Sequence, residues 1–84
     1  MADYSVFLHA ELLEFVPSRG RQRKMIMNFV RSLAQSPDTP GDFIDQDDTL
    51  RTRQIKIIGD YAITYWADHP VKAVMVVSVR SADK

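Results

Sequence analysis

The sequence lacks cysteine and is poor in chain-bending residues, with three glycines and four prolines in 84 residues. Without thiols, a disulfide framework and a thiolate zinc site are excluded. No apolar stretch approaches the ~18 residues that a membrane-spanning helix needs, and the first residues, MADYSVFLHAELLEF, lack the basic and apolar regions of a secretory signal. No phosphate-binding loop, nucleophile elbow or zinc-binding HExxH motif is present. We therefore expect a cytoplasmic protein with no cofactor and no metal site.

An excess of either charge is also missing, because 11 basic and 11 acidic residues give a net charge of zero. The whole chain is therefore not drawn to nucleic acid by bulk charge. The charges are nevertheless segregated along the sequence. In residues 19–31 every charged residue is basic: Arg19, Arg21, Arg23, Lys24 and Arg31. In residues 38–48 every charged residue is acidic: Asp38, Asp42, Asp45, Asp47 and Asp48. This pattern predicts one basic and one acidic surface.

The first half of the chain reads as a strand followed by two helices. Tyr4 to about His9 is rich in strand-forming residues. A short helix is predicted from about Ala10 and is stopped by Pro17. The segment RGRQRKMIMNFVRSLAQSP predicts a longer helix, because its apolar residues recur at helical spacing. These residues form one stripe: Ile26, Phe29, Val30 and Leu33.

The second half of the chain changes to the alternating period of strands. GDFI predicts a short edge strand, RTRQIKII and YAITYWA form a hairpin around a Gly-Asp turn, and VKAVMVVSV is the last strand. We predict one α+β domain over residues 1–84, of order β-α-α-β-β-β(-β). Its two N-terminal helices pack on one face of a small, mainly antiparallel sheet. That face is expected to carry Ile55, Ile57, Ile63 and Val77.

This order of elements resembles the RelE/ParE superfamily of bacterial toxins from type II toxin–antitoxin modules. The long basic helix ending in SLAQSP, the basic strand, the GD-Y hairpin and the final VMVVSVR strand carry the resemblance over nearly the whole chain. The family implies a small toxin, connected with plasmid stabilisation, that a neighbouring antitoxin neutralises. Its RelE-like branch cuts messenger RNA on the ribosome, whereas its ParE-like branch inhibits DNA gyrase without nuclease activity.

The resemblance to the nuclease branch is incomplete at the positions that carry its activity. That branch has two lysines two residues apart before the hairpin, and here the matching residues are Gln54 and Lys56. An arginine that follows the hairpin tyrosine is replaced by Ala62. The arginine after the last strand has its nearest counterpart in Arg80, with Ala82 at the aligned position. The terminal helix with its tyrosine has no counterpart. We therefore expect weak RNA cleavage or none.

Strand alternation offers candidate site residues on the outer face of the sheet. If Ile55 and Ile57 face the helices, Gln54 and Lys56 face outward. The neighbouring strands then bring further residues to the same face: Thr64, Trp66, Ser78 and Arg80. The candidate catalytic residues are thus Lys56 and Arg80, which would cradle a phosphate with help from two arginines, Arg51 and Arg53. Trp66 would stack a base. The alternative is that these cations only solvate an open sheet face.

The basic segment has two functional interpretations. Arg19, Arg21, Arg23 and Lys24 either contact the phosphates of RNA or dock a protein partner, such as an acidic antitoxin or a gyrase surface. A plain solvated helix face is the third option. Three hypotheses for the whole protein remain: a toxin that acts by binding its target, a ribosome-dependent endoribonuclease, and an inactive toxin-fold protein that keeps its antitoxin-binding surface.

Overall fold

The computed structural model describes residues 3–82, in which one α-helix lies against a five-stranded sheet. Two short 3-10 helices, Ala10–Phe15 and His69–Val71, lie in the connections. The elements named below are β1 (Ser5–Leu8), α1 (Arg21–Ser32), β2 (Phe43–Gln46), β3 (Thr52–Ile58), β4 (Tyr61–Asp68) and β5 (Ala73–Ser81). None of the helices within residues 3–82 has the length and apolar character needed to cross a membrane.

The sheet is mixed, with the strand order β1-β5-β4-β3-β2. β1 runs parallel to β5, and the other neighbouring pairs are antiparallel. The predicted hairpin is confirmed: Gly59 and Asp60 form the turn between β3 and β4. Gly59 has a φ of 58°, which is the left-handed conformation that glycine adopts without steric cost.

The predicted apolar stripe of α1 is confirmed as the inner side of the core. Ile26, Val30 and Leu33 are buried, and Phe29 packs edge-on against the Tyr65 ring with the ring centroids 5.5 Å apart. On the sheet side the buried apolar residues are Ile63, Tyr65, Val74, Val76 and Val79. The buried residues on the sheet side of this core therefore come from β4 and β5, two of the three inner strands of the sheet.

The prediction of two helices packed on one face of the sheet is wrong. Ala10–Phe15 forms a 3-10 helix without a buried residue, which leaves Arg21–Ser32 as the one α-helix in the described part of the chain. A residue that precedes proline avoids the α conformation, and Val16 is accordingly extended, with φ −92° and ψ 136°. Six residues before this stop are too few for a stable amphipathic α-helix.

The predicted orientation of β3 is also wrong. Directly paired residues of antiparallel strands lie on the same face of a sheet. Lys56 pairs with Ile63, which is in the core, whereas Ile55 pairs with Thr64 on the opposite face. The isoleucines at 55 and 57 therefore lie on the face away from α1, which we call the open face.

The segment between α1 and β2 explains how polar residues of β3 are accommodated on the helix side. The Gly41 amide donates a hydrogen bond to Gln54 Oε1 at 2.9 Å, and Lys56 Nζ lies 3.8 Å from Asp42 Oδ1. This segment supplies the partners of the two polar side chains on the inner side of β3. Polar side chains can lie there because the segment supplies their hydrogen-bonding and charged partners.

Val77 was predicted to face the helices, and this prediction is wrong as well. β4 and β5 change register between Thr64 and Tyr65, so that Thr64 pairs with Ser78 but Tyr65 pairs with Val76. Val77 is the extra residue of this bulge, and it is 39% exposed. Residues on one face of a regular strand differ by an even number of positions, and the bulge lets Val76 and Val79, which differ by three, both reach the core.

Substitution of Gly41 by alanine is expected to destabilise the protein. An added Cβ atom would lie 2.5 Å from the Ile55 carbonyl oxygen and 2.7 Å from its amide nitrogen. Backbone atoms cannot move aside as a flexible side chain does, so we expect a loss of about 1–3 kcal/mol in the free energy of unfolding. Urea denaturation measures the change, and Gln46→Ala, an exposed change on β2, is the control. Equal stability of Gly41→Ala and the parent would contradict this close packing.

Candidate functional site

Lys56 and Arg80, the two candidate catalytic cations, lie on opposite faces of the sheet. Lys56 pairs with the core residue Ile63, whereas Arg80 pairs with Ala62 on the open face. Lys56 also has an acidic neighbour on its own side, since Asp42 Oδ1 is 3.8 Å from its Nζ. One phosphate group cannot contact both cations through the sheet, so the predicted joint cradle does not form.

A basic groove runs along the outer side of α1 and has a volume of about 350 Å³. We call it the basic groove; its lining residues are Ser18, Arg19, Gly20, Arg23, Lys24, Met27, Asn28 and Arg31. Three of the four predicted binding cations of the segment therefore lie together, and Arg21, exposed on the same helix, is not part of the lining.

The hydrogen bonds of the groove position its cations without neutralising them. Arg23 Nη1 donates to the Pro17 carbonyl oxygen at 3.1 Å, and Arg31 Nη1 donates to Asn28 Oδ1 at 3.1 Å. Within residues 3–82, none of the groove's cations forms an ion pair with a carboxylate. Four positive charges thus share one solvent-facing surface, and such a surface attracts an anionic partner.

A second concave site lies on the open face of the sheet and has a volume of about 190 Å³. We call it the open-face cleft; its lining residues are Asp45, Arg53, Ile55, Ala62, Thr64, Ser78 and Arg80. Arg53 donates to both carboxylate oxygens of Asp45, at 2.9 and 2.8 Å. The hydrogen bond to this carboxylate raises the pKa of Arg53. Two predicted cations, Arg53 and Arg80, therefore meet here, but Asp45 compensates the charge of one of them.

Trp66 does not offer both ring faces to a nucleic-acid base. The Arg51 guanidinium carbon lies 4.0 Å from the centroid of the Trp66 ring, a cation–π geometry. Arg51 Nη1 also lies 3.0 Å from Asp47 Oδ2. The hydrogen bond from the Thr49 hydroxyl, helped by the Arg51 backbone amide, lowers the pKa of Asp47 to about 2. These contacts tie Arg51 and Trp66 to the β2–β3 turn, so both are part of a local structural cluster.

His69, in the connection between β4 and β5, links two distant segments of the chain. Its Nδ1 lies 2.6 Å from the Tyr4 hydroxyl, and its Nε2 lies 3.0 Å from Asp38 Oδ1. The two ring nitrogens thus connect the start of β1 with the segment after α1. These partners are 65 and 31 positions away in the sequence, which is why no local motif indicates the bridge.

Tyr65 makes the stability of the protein sensitive to alkaline pH. Burial, and secondarily the negative charge of Asp42, raises the pKa of Tyr65 to about 12 from an ordinary value of 10.0. The raised pKa means that stability is fully present below pH ~10 and is lost as the pH rises towards 12, because the unfolded chain ionises first. We expect the free energy of unfolding to fall by on the order of 2 kcal/mol over this interval.

Urea denaturation between pH 8 and 12 measures this effect, with Tyr65→Phe as the matched variant. Phenylalanine keeps the ring but loses the hydrogen bond that the Tyr65 hydroxyl donates to the Thr39 carbonyl oxygen at 2.9 Å. The variant should be less stable at pH 8 and should show a smaller decline at alkaline pH. Parallel declines in the two proteins would contradict the assignment to Tyr65.

Thr64 has a degree of burial that the sequence does not indicate. It is only 8% exposed, although it lies on the open face and lines the open-face cleft. Strand alternation placed it on the outer face correctly, but nothing in the local sequence indicates burial there. Its burial results from neighbouring side chains of β3 and β5, which are distant in sequence.

Comparison with known proteins adds no family assignment to this geometry. No protein-family model matches the chain, and no curated protein has a significantly similar sequence. The two concave surfaces, the basic groove and the open-face cleft, are therefore the basis on which a function is assigned.

Proposed function

We propose that this protein is a toxin-like component of a type II toxin–antitoxin module, that it acts in the cytoplasm by binding its target, and that a cognate antitoxin neutralises it. The observation that carries the binding mode is the placement of Lys56 and Arg80 on opposite faces of the sheet. The resemblance of the helix, hairpin and last-strand motifs supports the module itself. The proposal does not require the two-helix architecture, which the structure lacks.

Binding is favoured over RNA cleavage because the described lining of the open-face cleft offers few groups for that chemistry. Its one carboxylate, Asp45, already accepts two hydrogen bonds from Arg53. Cleavage requires a base for the 2′-hydroxyl, cations for the charged transition state and an acid for the leaving oxygen. Within residues 3–82, Arg80 is the cleft's one cation without a carboxylate partner, and its neighbours there include Thr64 and Ser78. Hydroxyl side chains do not act as bases near neutral pH without activation. Loss of one positioned transition-state contact costs about 10²–10³ in rate.

The basic groove is the surface that best fits a protein partner. Four cations project from one turn and one helix, and no described carboxylate neutralises them. An acidic peptide segment would complement this charge and would associate quickly at low salt. The groove also contains the partly buried Met27, whose flexible apolar side chain adapts to different partner surfaces. We therefore assign the groove to an acidic segment of the antitoxin.

Co-expression with the neighbouring reading frame tests the proposal. The two proteins should purify together through a tag on either one, and the complex should weaken as the salt concentration rises, because the groove contact is electrostatic. Expression of the 84-residue chain alone should slow growth. Harmless expression at full yield, without recovery of a partner, would contradict the module.

Primer extension on messages from these cells distinguishes binding from cleavage. We expect no codon-dependent cuts, and we expect the growth defect to persist in Lys56→Ala. Strong cuts that vanish both in Lys56→Ala and in Arg80→Ala would instead establish the endoribonuclease. A protein that binds the antitoxin without any effect on growth would be the inactive toxin-fold form.

A further inference from the structure

The open-face cleft contains the hydroxyl group of Thr64, for which residues 3–82 supply no hydrogen-bond partner. Thr64 is more than nine-tenths buried, with 8% of its surface exposed. Within residues 3–82 its hydroxyl makes no hydrogen bond, and no polar side-chain atom of this part of the chain is both sealed from solvent and unpartnered. The Thr64 hydroxyl therefore reaches the cleft. A hydroxyl that faces a cleft and has no protein partner there can donate its hydrogen bond to a ligand that enters the cleft.

The other donors of the cleft converge on the same place. Thr64 pairs directly with Ser78 across β4 and β5, and Arg80 follows two positions later on the same face. Arg80 Nε approaches Ser78 Oγ at a long 3.4 Å, which leaves most of its guanidinium donors free for a ligand. Two hydroxyls and one guanidinium fork thus line a cleft of about 190 Å³, and a guanidinium fork matches the geometry of an oxyanion.

The charge of the cleft distinguishes between possible oxyanions. Arg53 is bound by both oxygens of Asp45, so this pair contributes no net charge. Arg80 has no carboxylate partner in the described part of the chain and leaves the cleft with one positive charge. A carboxylate carries one negative charge and balances it, whereas a phosphate monoester carries about −1.5 to −2.

The surroundings of the cleft are apolar. Ile55 and Ala62 line it, and Phe43, which pairs with Ile55 on the same face, is 60% exposed. A charged group that approaches this face therefore has to be presented between apolar neighbours. A protein segment with an acidic residue flanked by apolar side chains meets this condition.

We propose that the open-face cleft binds one carboxylate, the side chain of an aspartate or glutamate that the partner polypeptide presents between apolar residues. Arg80 donates to both carboxylate oxygens, and the hydroxyls of Thr64 and Ser78 each donate one further hydrogen bond. The identity of the partner rests on the function proposed above. The carboxylate specificity is a property of the cleft itself and can be measured without the partner.

Titration of the full chain with propionate, which has the carboxylate and short apolar stem of a glutamate side chain, tests the cleft. Two-dimensional ¹⁵N NMR would follow the backbone amides of Thr64 and Ser78 and the Arg80 Nε–H group. We expect saturable shifts at these three positions with propionate and none with neutral propionamide. Inorganic phosphate at matched ionic strength should bind more weakly. Tighter binding of phosphate, or the absence of saturable shifts with propionate, would overturn the proposal.

Two variants measure separately what the Thr64 hydroxyl and the Arg80 charge contribute to propionate binding. Thr64→Val keeps the shape of the side chain and removes the hydroxyl, and Arg80→Gln removes the positive charge. Each should weaken propionate binding about tenfold, because hydrogen bonds to charged groups are the strong ones. Arg21→Gln, a change on α1 outside the cleft, should leave the binding unchanged. Equal affinity of Thr64→Val and the parent would overturn the role of Thr64.

A second measurement on Thr64→Val separates a binding role from a structural one. Because the hydroxyl has no protein partner within residues 3–82, its removal should not lower the melting temperature, although it weakens propionate binding. A lowered melting temperature with unchanged binding would show a structural role and overturn the inference. The NMR dispersion of each variant reports whether it is folded.

The cleft and the proposed function can fail independently. Propionate binding without a co-purifying partner would leave the cleft assignment intact and contradict the module. The converse result is a partner that co-purifies and binds the parent and Arg80→Gln with equal affinity, while propionate causes no NMR shifts. That result would contradict the carboxylate site and leave the module intact. If both are correct, replacement of one acidic residue of the partner by its amide should weaken the complex about as much as Arg80→Gln does.

Discussion

Leu33→Ala should bring the protein close to global unfolding at room temperature. Leu33 is fully buried at the C-terminal end of α1 and belongs to the core that joins the helix to the sheet. Removal of a buried leucine side chain costs about 2–5 kcal/mol through lost burial and the cavity that remains. Small domains have only about 5–15 kcal/mol of net stability. Since one α-helix covers this sheet in residues 3–82, the loss falls on the main tertiary contact of the fold.

Urea denaturation followed by circular dichroism measures this loss. Met25→Ala is the matched control, because Met25 lies on the same helix and is 39% exposed, so its truncation should cost less than about 1 kcal/mol. Similar losses in the two variants would show that α1 does not pack on the sheet through the Ile26–Leu33 side.

Charge reversal in the basic groove should nearly abolish capture of the partner. The double variant Arg19→Glu/Lys24→Glu exchanges two exposed, unpaired cations for acids. An acidic partner segment would then meet like charges, which costs several kcal/mol across an interface. We expect affinity to fall at least about a hundredfold, which corresponds to about 2.7 kcal/mol. Both side chains are on the surface, so the fold should be unaffected.

Isothermal titration of the purified complex partners measures this affinity at two salt concentrations. Lys72→Glu, an equally exposed charge reversal in the β4–β5 connection, is the control and should retain the affinity within a few fold. If the groove variant binds as the parent does, the antitoxin docks elsewhere. If it loses binding to RNA while it keeps the antitoxin, the groove is a phosphate-contact surface.

The error in the face of β3 shows what alternation alone leaves open. The pattern of Gln54, Ile55, Lys56 and Ile57 establishes that odd and even residues lie on opposite faces. Sequence reasoning assigned the isoleucines to the covered face because apolar residues are usually inside. On the inner side of β3, however, Gln54 and Lys56 find polar partners in the segment around Gly41 and Asp42. Which face of a strand is buried depends on the segments that pack against it, and the local alternation of the sequence does not specify those segments.

Of the candidate sites, the basic groove could be predicted from the sequence, whereas the open-face cleft and the His69 bridge could not. The clustering of cations in the basic groove follows from their spacing on one turn and one helix, and the sequence was sufficient to predict it. The open-face cleft required the register of β4 with both neighbours, including the bulge at Thr64 and Tyr65. The His69 bridge required two long-range contacts. Both depend on chain segments whose relative placement is decided only when the sheet forms.

By itself the amino-acid sequence determined the local structure: the amphipathic helix, the hairpin around Gly59, the separated blocks of charge and the absence of any thiol chemistry. These features depend on neighbours within a few residues, where periodicity and turn chemistry act directly. The tertiary structure alone decided that Lys56 and Arg80 are separated by the sheet and that Thr64 lines a cleft on the open face. The reason is that burial and partnering are set by packing between distant segments, so the same local pattern is compatible with either face.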